Sequence, residues 1–164
     1  MSLLQRVEEA NDGRTDELVP FFVEHRLLGY LLPENARVLL EFAHVFRRDG
    51  ATLRLARSLE QDADAATRSQ AMERVMRTLR ERRLVRGWRD EPFAIASRFG
   101  EPPAFLLERA ALPLFGARGY GVHINGFVRC GGEKLLWVGV RAKDKPTYPG
   151  RLDQVVAGGQ PAGL

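Results

Sequence analysis

Some residue types are scarce in this sequence, and each scarcity excludes a class of protein. Cys130 is the only cysteine, so no disulfide can form within the chain, and a reducing cytoplasm is the expected compartment. No apolar run approaches the roughly 20 residues that a membrane-spanning helix needs. The start, residues 1–13, is acidic and has the pattern of an amphipathic helix, which differs from a signal peptide. We therefore predict a cytoplasmic protein without a membrane anchor.

The sequence also has few of the residues that form common catalytic centres. Its three histidines, His25, His44 and His123, are not spaced as zinc ligands are. No Gly-x-Ser-x-Gly motif is present to carry a nucleophilic serine. The glycine-rich stretch 116–121 precedes an expected strand and does not open a helix, so it lacks the context of a dinucleotide-binding loop. These patterns argue against zinc, serine-hydrolase and dinucleotide chemistry.

Basic charge is plentiful and unevenly distributed. The formal net charge is +4, and the only three lysines, Lys134, Lys143 and Lys145, all lie in the last third of the chain. Arg129, Arg141 and Arg151 lie near them in sequence. Two interpretations stay open: a surface that attracts nucleotides, diphosphates or nucleic acid, and an ordinary solvated basic surface.

Hydrophobic periodicity predicts a mixed α+β domain as far as about Gly116. The spacing Ser2-x-x-Gln5 is that of a helix capping box. Further predicted elements are two strands within 19–32 that turn near 24–25, a helix from Pro33, a hairpin at 49–50, a helix over 64–83, a strand at 93–96 and one or two helical turns over 104–115. The helix over 64–83 directs an apolar stripe inward (Ala65, Met72, Val75, Met76, Leu79) and three arginines outward (Arg74, Arg77, Arg80).

After Gly116 the sequence becomes glycine-rich and typical of strands. Residues 119–129 and 135–141 read as partner strands joined by a tight turn at Gly131–Gly132. A polar loop follows over 143–150, then a short strand at 155–157 and a turn at 158–159. We therefore predict two domains, 1–116 and 117–164.

The stretch from Gly121 to Gly159 resembles the opening of the Nudix hydrolase domain. In that family a hairpin ends in an arginine, a polar loop reaches a Pro-Gly turn, and a short strand delivers Gly-Gly. Here the matching residues are Arg141, the segment Tyr148-Pro-Gly-Arg-Leu-Asp153 and Ala157-Gly-Gly159. More loosely, Trp88-Arg-Asp-Glu91, Glu108-Arg-Ala110 and other segments before Gly116 resemble the domain that precedes Nudix in thiamine-pyrophosphokinase-related proteins.

The resemblance implies a fold and an activity. Residues 117–164 are expected to form the first strands of an α/β/α Nudix sandwich. The implied activity is hydrolysis of a diphosphate linked to another moiety, nucleoside-diphosphate-like or thiamin-diphosphate-like, with Mg²⁺ or Mn²⁺. Counted from Gly159, the first glutamate of the family signature is due at position 165, one residue after Leu164. We therefore expect no catalytic residue in this chain, activity only in the intact parent protein, and an inactive 164-residue polypeptide. The alternative is a non-catalytic ligand- or partner-binding module on a degenerate Nudix scaffold.

The resemblance also suggests roles for single residues. Arg141 matches an arginine that contacts phosphate, and Lys143 and Lys145 add charge beside it; a solvated strand-end arginine and a solvated loop are the alternatives. The backbone carbonyl of Gly159 matches one that reaches the metal. Pro149, Gly150, Asp153, Gly158 and Gly159 are motif or turn residues, and Asp153 has no assigned role. The expected partner is a small-molecule diphosphate; a homo-oligomer is left open, and no aromatic-and-basic motif favours nucleic acid.

Overall fold

The chain is an α+β protein that divides into two compact units. A computed structural model describes residues 2–11, 13, 15–145 and 147–163. Unit 1 is Met1–Arg118 and unit 2 is Gly119–Leu164. That residues 117–164 begin a Nudix sandwich stays a prediction.

Unit 1 is built on a four-stranded sheet. Its strands follow the spatial order β2-β1-β4-β3, with β1 and β4 parallel and the other neighbours antiparallel. The parallel pair requires a crossover, which contains the second helix. The elements of this part are α1 (Leu3–Asn11), β1 (Val19–Val23), β2 (Arg26–Leu31), α2 (Pro33–Leu40), β3 (Phe46–Asp49) and β4 (Thr52–Leu55).

Local signals in the sequence set several of these boundaries. The capping box is confirmed: the Ser2 N–H donates to Oε1 of Gln5 at 2.8 Å, and the Gln5 N–H donates to Oγ of Ser2 at 3.2 Å. The predicted turn between β1 and β2 is confirmed, with Glu24 at φ +56°. Pro33 lies in the first turn of α2, and the Asp49–Gly50 hairpin joins β3 and β4. Each of these signals involves residues that are close in sequence, so it acts independently of the tertiary fold.

The core of unit 1 lies between this sheet, a long helix and a second hairpin. The next two helices along the chain are α3 (Arg57–Gln61), which the sequence pattern did not predict, and α4 (Ala65–Glu81). The side chain of Asp64 caps α4 by accepting from the Thr67 N–H at 2.7 Å. In the predicted apolar stripe of α4, Met72, Val75, Met76 and Leu79 are confirmed as buried, whereas Ala65 is half-buried. Four phenylalanines of the core lie with ring centroids 5.3–6.3 Å apart: Phe21, Phe46, Phe105 and Phe115.

The prediction of helical turns over 104–115 was wrong in its first part. Strand β6 (Phe105–Glu108) pairs antiparallel with β5 (Pro92–Ile95), and a 3₁₀ turn (Arg109–Ala111) and α5 (Leu112–Phe115) come only afterwards. A short apolar run cannot be assigned to strand or helix by periodicity alone. Pro113 lies in the first turn of α5.

Two glycines allow the backbone of α5 to approach β2. A Cβ added at Gly29 would lie 2.2 Å from the carbonyl oxygen of Phe115. A Cβ added at Gly116 would lie 2.0 Å from the carbonyl oxygen of Tyr30, and Gly116 has φ +52°. No side chain fits at either position without moving backbone.

Unit 2 consists of short antiparallel strand pairs. Its strands are β7 (Gly121–Ile124), β8 (Phe127–Cys130), β9 (Glu133–Leu136), β10 (Gly139–Val140), β11 (Leu152–Asp153) and β12 (Val156–Gly159). They pair as β7–β12, β8–β9 and β10–β11. The turn at Gly131–Gly132 is confirmed, with φ values of +58° and +86°. The two long strands predicted over 119–129 and 135–141 are each interrupted, at 125–126 and 137–138.

The prediction that Gly158 and Gly159 form a turn was wrong. Both lie in β12, opposite Val122 and Gly121, and neither has a positive φ. The position that requires glycine is Gly121 on the partner strand β7, because a Cβ there would lie 2.7 Å from the carbonyl oxygen of Gly158. The double glycine therefore belongs to a strand whose partner approaches closely.

The apolar side chains of unit 2 are largely exposed to solvent. None of the described residues from 119 to 163 is buried, whereas unit 1 has a continuous buried core. The exposed fraction reaches 67% at Leu136, 70% at Val140 and 75% at Leu152. Each such side chain forgoes about 1.5–3 kcal/mol that burial would contribute. The described part of the chain therefore leaves the faces of unit 2 uncovered.

Candidate functional site

The loop that carries the Pro-Gly turn is closed by the main chain of Arg141. The Arg141 N–H donates to the carbonyl of Arg151 at 2.9 Å, and the Gly150 N–H donates to the carbonyl of Arg141 at 3.1 Å. Gly150 has φ +68°, a conformation that glycine adopts without strain. Pro149 and Gly150 thus return the chain from the loop into β11, which pairs with β10.

The guanidinium of Arg141 is held from two sides. Its Nε and Nη2 donate to the carbonyl oxygen of Thr147 at 3.2 and 2.9 Å, and Nη2 also donates to Oγ1 of Thr147 at 3.3 Å. Its Nη1 donates to Oδ2 of Asp153 at 2.5 Å. A guanidinium has five N–H groups. Nη1 makes one contact and carries two N–H groups, so within the described residues one of its N–H groups has no protein acceptor and the fixed guanidinium presents that donor.

Asp153, which the sequence left without a role, is the residue that fixes Arg141. Its Oδ2 accepts from Arg141, and its Oδ1 accepts from the backbone N–H of Gln154 at 2.9 Å. The hydrogen bond from Arg141, followed by that from Gln154, lowers the pKa of the Asp153 carboxyl below its ordinary value. The carboxylate is therefore ionised near neutral pH and pairs with the guanidinium.

Three other residues of this hydrogen-bond network had no role predicted from the sequence: Gln154, His123 and Thr147. Oε1 of Gln154 bonds to Nδ1 of His123, which lies in β7. Thr147 lies in the polar loop predicted over 143–150, but no function was predicted for its carbonyl. No sequence motif predicts these contacts, because the residues lie in β7, in the 142–150 loop and next to β11. They come together only when the strands pair. The spacing of Arg141 and Asp153 around a Pro-Gly turn was the one usable signal.

The other predicted site residues lie apart from these contacts. Lys143 and Lys145 are exposed in the loop, where the Lys145 N–H donates to the carbonyl of Ala142 at 3.3 Å. Gly159 lies in β12, opposite Gly121. Among the described residues, no group of three or more His, Cys, Asp or Glu side chains is placed to hold a metal ion. One backbone carbonyl is not a magnesium site, so the described residues do not fit the Mg²⁺ or Mn²⁺ that the sequence resemblance implies.

Unit 2 thus has an arginine fixed at a strand end, a Pro-Gly loop return and a Gly-Gly strand. The chain belongs to the family described as a domain of unknown function (DUF4743), whose model matches residues 2–119. It is 38% identical to a protein of Arabidopsis thaliana named Nudix hydrolase 20, chloroplastic, over 98% of this chain and 45% of that protein. It is 35% identical to Nudix hydrolase 24, chloroplastic, of the same plant, over 98% and 44%. An uncharacterized protein of Saccharomyces cerevisiae is 42% identical over 46% of this chain and 22% of its own length.

These similarities confirm the relationship to Nudix hydrolases that the motifs between Gly121 and Gly159 predicted. The chain spans a little under half the length of the two plant relatives. Their names describe hydrolases and give neither a substrate nor a metal. In the part of the chain that the structure describes, no helix is long and apolar enough to cross a membrane.

Proposed function

We propose that unit 2 binds the phosphate groups of a diphosphate ester, which the intact protein hydrolyses with Mg²⁺ or Mn²⁺. The observation that carries this proposal is the fixed guanidinium of Arg141, held by Thr147 and Asp153 with one N–H of Nη1 still available. A donor that is already oriented loses little conformational entropy when an anion arrives. Hydrogen bonds from a charged donor to a phosphate oxygen are among the strong ones.

The charges around Arg141 support anion binding. Because Asp153 is paired with Arg141, that pair is nearly neutral. The excess positive charge therefore comes from the other side chains of the exposed loop. Residues 141–153 contain four basic side chains (Arg141, Lys143, Lys145, Arg151) and two acidic ones (Asp144, Asp153). A diphosphate at the free Nη1 donor would therefore meet the positive field of the two exposed lysines, Lys143 and Lys145. In this proposal Arg141 orients the bound phosphate, and Lys143 and Lys145 contribute positive charge.

Hydrolysis itself needs groups that the described residues do not bring together. Family chemistry depends on a metal held by clustered carboxylates, and the described residues do not form such a cluster. The proposal therefore assigns substrate binding to the residues named here and hydrolysis to the intact protein, in the cytoplasm. The substrate class is nucleoside-diphosphate-like or thiamin-diphosphate-like.

The test compares two forms of the protein in a phosphate-release assay. ADP and thiamin diphosphate are incubated with Mg²⁺ and either the 164-residue polypeptide or a form extended through a glutamate signature helix. We expect turnover only with the extended form. Robust Mg²⁺-dependent turnover by the 164-residue polypeptide, abolished by EDTA, would contradict the proposal. Binding without turnover in both forms would favour the non-catalytic module instead.

A further inference from the structure

We infer that the second half of α4 and the turn after it form a binding surface for a single-stranded nucleic acid; this inference concerns unit 1 and does not rest on the proposed function. Arginine occupies every third position from Arg74 to Arg89, and Arg82 is a seventh. All seven are exposed, and together they form what we call the arginine surface. Glu81 is the only acidic residue of this segment, so its formal charge is +6, above the +4 of the whole chain. The positive charge of the protein is therefore concentrated here.

Most of this charge is not neutralised within unit 1. Arg77 pairs with Glu73 at 2.7 Å, and Arg82 pairs with Glu41 at 2.6 Å. Within the described residues, no ion pair joins the other five arginines to a carboxylate. Like charges three or four residues apart on a helix repel each other. A polyanion bound along the arginine surface would relieve that repulsion, so charge complementarity favours such a partner.

The dipole of α4 accounts for only part of the arginine surface. Cations are stabilised near the C-terminus of a helix, and the effect is confined to the last turn. Arg80 lies in the last turn of α4, which ends at Glu81. Arg74 lies before that turn, and Arg86 and Arg89 follow the end of the helix. The regular arginine spacing therefore extends beyond what helix stability requires.

Trp88 adds a flat aromatic ring to the arginine surface, and several contacts fix it. Its Nε1 donates to Oδ1 of Asp90 at 2.7 Å, and the indole packs against the buried core of unit 1. The guanidinium carbons of Arg77 and Arg80 lie 5.6 and 5.1 Å from the centre of the Trp88 ring. No sequence motif indicates this arrangement, because the three side chains meet only in the fold. Aromatic rings and guanidinium planes are the groups on which unpaired bases stack.

A cavity of about 300 Å³ shares Arg77 and Trp88 with the arginine surface. It is lined by α4, by β6 and by the segment between them, and its walls include the apolar side chain of Leu106 as well as Glu73 and Asp90. Oε1 of Glu73 already accepts from Arg77, and Oδ1 of Asp90 accepts from Trp88. In the described part of the chain, the second oxygen of each carboxylate is left to accept from a ligand. The amino groups of bases donate to carboxylates in this way.

These features distinguish a nucleic acid from other polyanions. The two carboxylates of the cavity, Glu73 and Asp90, would repel an acidic side chain of a protein partner, whereas they accept from a neutral base. An anionic membrane would need apolar groups to insert, and Leu84 is the only large exposed apolar side chain between positions 74 and 89. A duplex keeps its bases stacked and out of the cavity. The ligand is therefore an unpaired strand, with its phosphates on the guanidiniums and a base at Trp88.

The experiment measures binding of fluorescein-labelled strands of about 12 nucleotides to the full 164-residue chain by fluorescence anisotropy at several salt concentrations. The probes are single-stranded RNA and DNA, a DNA duplex, and an abasic strand that has the phosphates without the bases. Arg74→Gln/Arg86→Gln removes two charges from the arginine surface. The matched control, Arg37→Gln/Arg57→Gln, removes two exposed arginines of unit 1 elsewhere.

We expect single strands to bind, and the Arg74/Arg86 variant to weaken binding about tenfold while the Arg37/Arg57 control changes the Kd little. The dependence of log K on log salt concentration should become shallower by about 1.4 in the first variant, since each phosphate contact to a single strand contributes about 0.7. The abasic strand should bind about tenfold more weakly than the same strand with bases, and the duplex more weakly than either single strand. The tighter of RNA and DNA identifies the nucleic acid.

Trp88 reports directly on the base. In a Trp137→Phe background it is the only tryptophan of the chain, and a bound single strand should quench its emission saturably. Equal losses in the two double variants, or single strands that do not bind at low salt, would overturn the proposal. So would tighter binding of a poly-glutamate peptide, which would assign the surface to an acidic protein, or of phosphatidylglycerol vesicles, which would assign it to a membrane.

Discussion

Arg68 is the most deeply buried charged side chain among the described residues, and removing its charge should destabilise unit 1. It lies on α4 with 5% of its surface exposed. Its Nε donates to the carbonyl of Leu59 at 2.7 Å, and its Nη2 donates to the carbonyl of Glu60 at 2.9 Å and to Oε1 of Glu24 at 2.6 Å. One guanidinium thus ties α4 to the end of α3 and to the β1–β2 turn.

The expected cost of Arg68→Met follows from these three contacts. Methionine keeps much of the apolar stem, so the loss comes from the polar head. Two main-chain carbonyls lose charged donors, each worth about 1.5–3 kcal/mol. Glu24 is 38% exposed on its side chain, so its carboxylate is rehydrated and adds little. We expect the free energy of unfolding to fall by about 3 kcal/mol, or roughly 10–15 °C in Tm for a unit of this size.

The assay is urea and thermal unfolding followed by far-UV circular dichroism. Arg77→Met is the matched control on the same helix, because Arg77 pairs with Glu73 in an i,i+4 contact in which both side chains are 54% exposed. An exposed pair of this kind contributes less than about 1 kcal/mol. If the two variants lost the same stability, the network around Arg68 would not be a structural anchor and the reasoning would fail.

Three further predictions concern packing, pH and the faces of unit 2. Gly29→Ala should cost about 1–3 kcal/mol of unfolding free energy in urea, because its Cβ would meet the Phe115 carbonyl; unchanged stability would show that β2 and α5 are not in close contact. The hydrogen bond from Arg68 lowers the pKa of Glu24, so the ionised Glu24 stabilises the folded state above the ordinary glutamate pKa of about 4.3, and this stabilisation is lost as the pH falls through the lowered value. The free energy of unfolding, measured against pH, should therefore fall less on acidification in Glu24→Gln than in the unchanged protein. Parallel curves for the two proteins would refute this prediction. The exposed apolar faces of unit 2 predict that the 164-residue polypeptide self-associates and binds a hydrophobic dye; a dye-silent monomer at all concentrations in sedimentation would contradict this.

Much of unit 1 could be predicted because its signals are local. The Ser2–Gln5 capping box, the Asp49–Gly50 hairpin and the stripe of α4 each depend on a few neighbouring residues, and the structure confirms them. Strand β6 was missed because its apolar run fits either a strand or a helix, and pairing with β5 decides between them. The burial of Arg68 was missed because its charge is compensated by two carbonyls of α3 and by Glu24 in the β1–β2 turn, and no periodic pattern predicts these contacts.

The site was predictable only in part, for a related reason. A motif marked Arg141 as a residue of interest, but its hydrogen bonds depend on β10–β11 pairing and on how the loop folds back. Asp153 therefore gained a role only when its distance to Arg141 was known. Gly158 and Gly159 were assigned to a turn because glycine pairs often form turns, whereas here the pairing with β7 keeps them extended.

The most direct test of the account is calorimetric titration of pyrophosphate into the full 164-residue chain at low salt, with Arg141→Ala compared with Arg151→Ala. Arg151 is an exposed basic residue at the end of the same loop, so it controls for the change in net charge. The account predicts that Arg141→Ala raises the Kd by roughly ten- to a hundredfold, the equivalent of about 1.5–3 kcal/mol, and that Arg151→Ala changes it only slightly. Equal effects of the two substitutions, or no change in the Arg141 variant, would contradict the claim that a fixed guanidinium binds the phosphate.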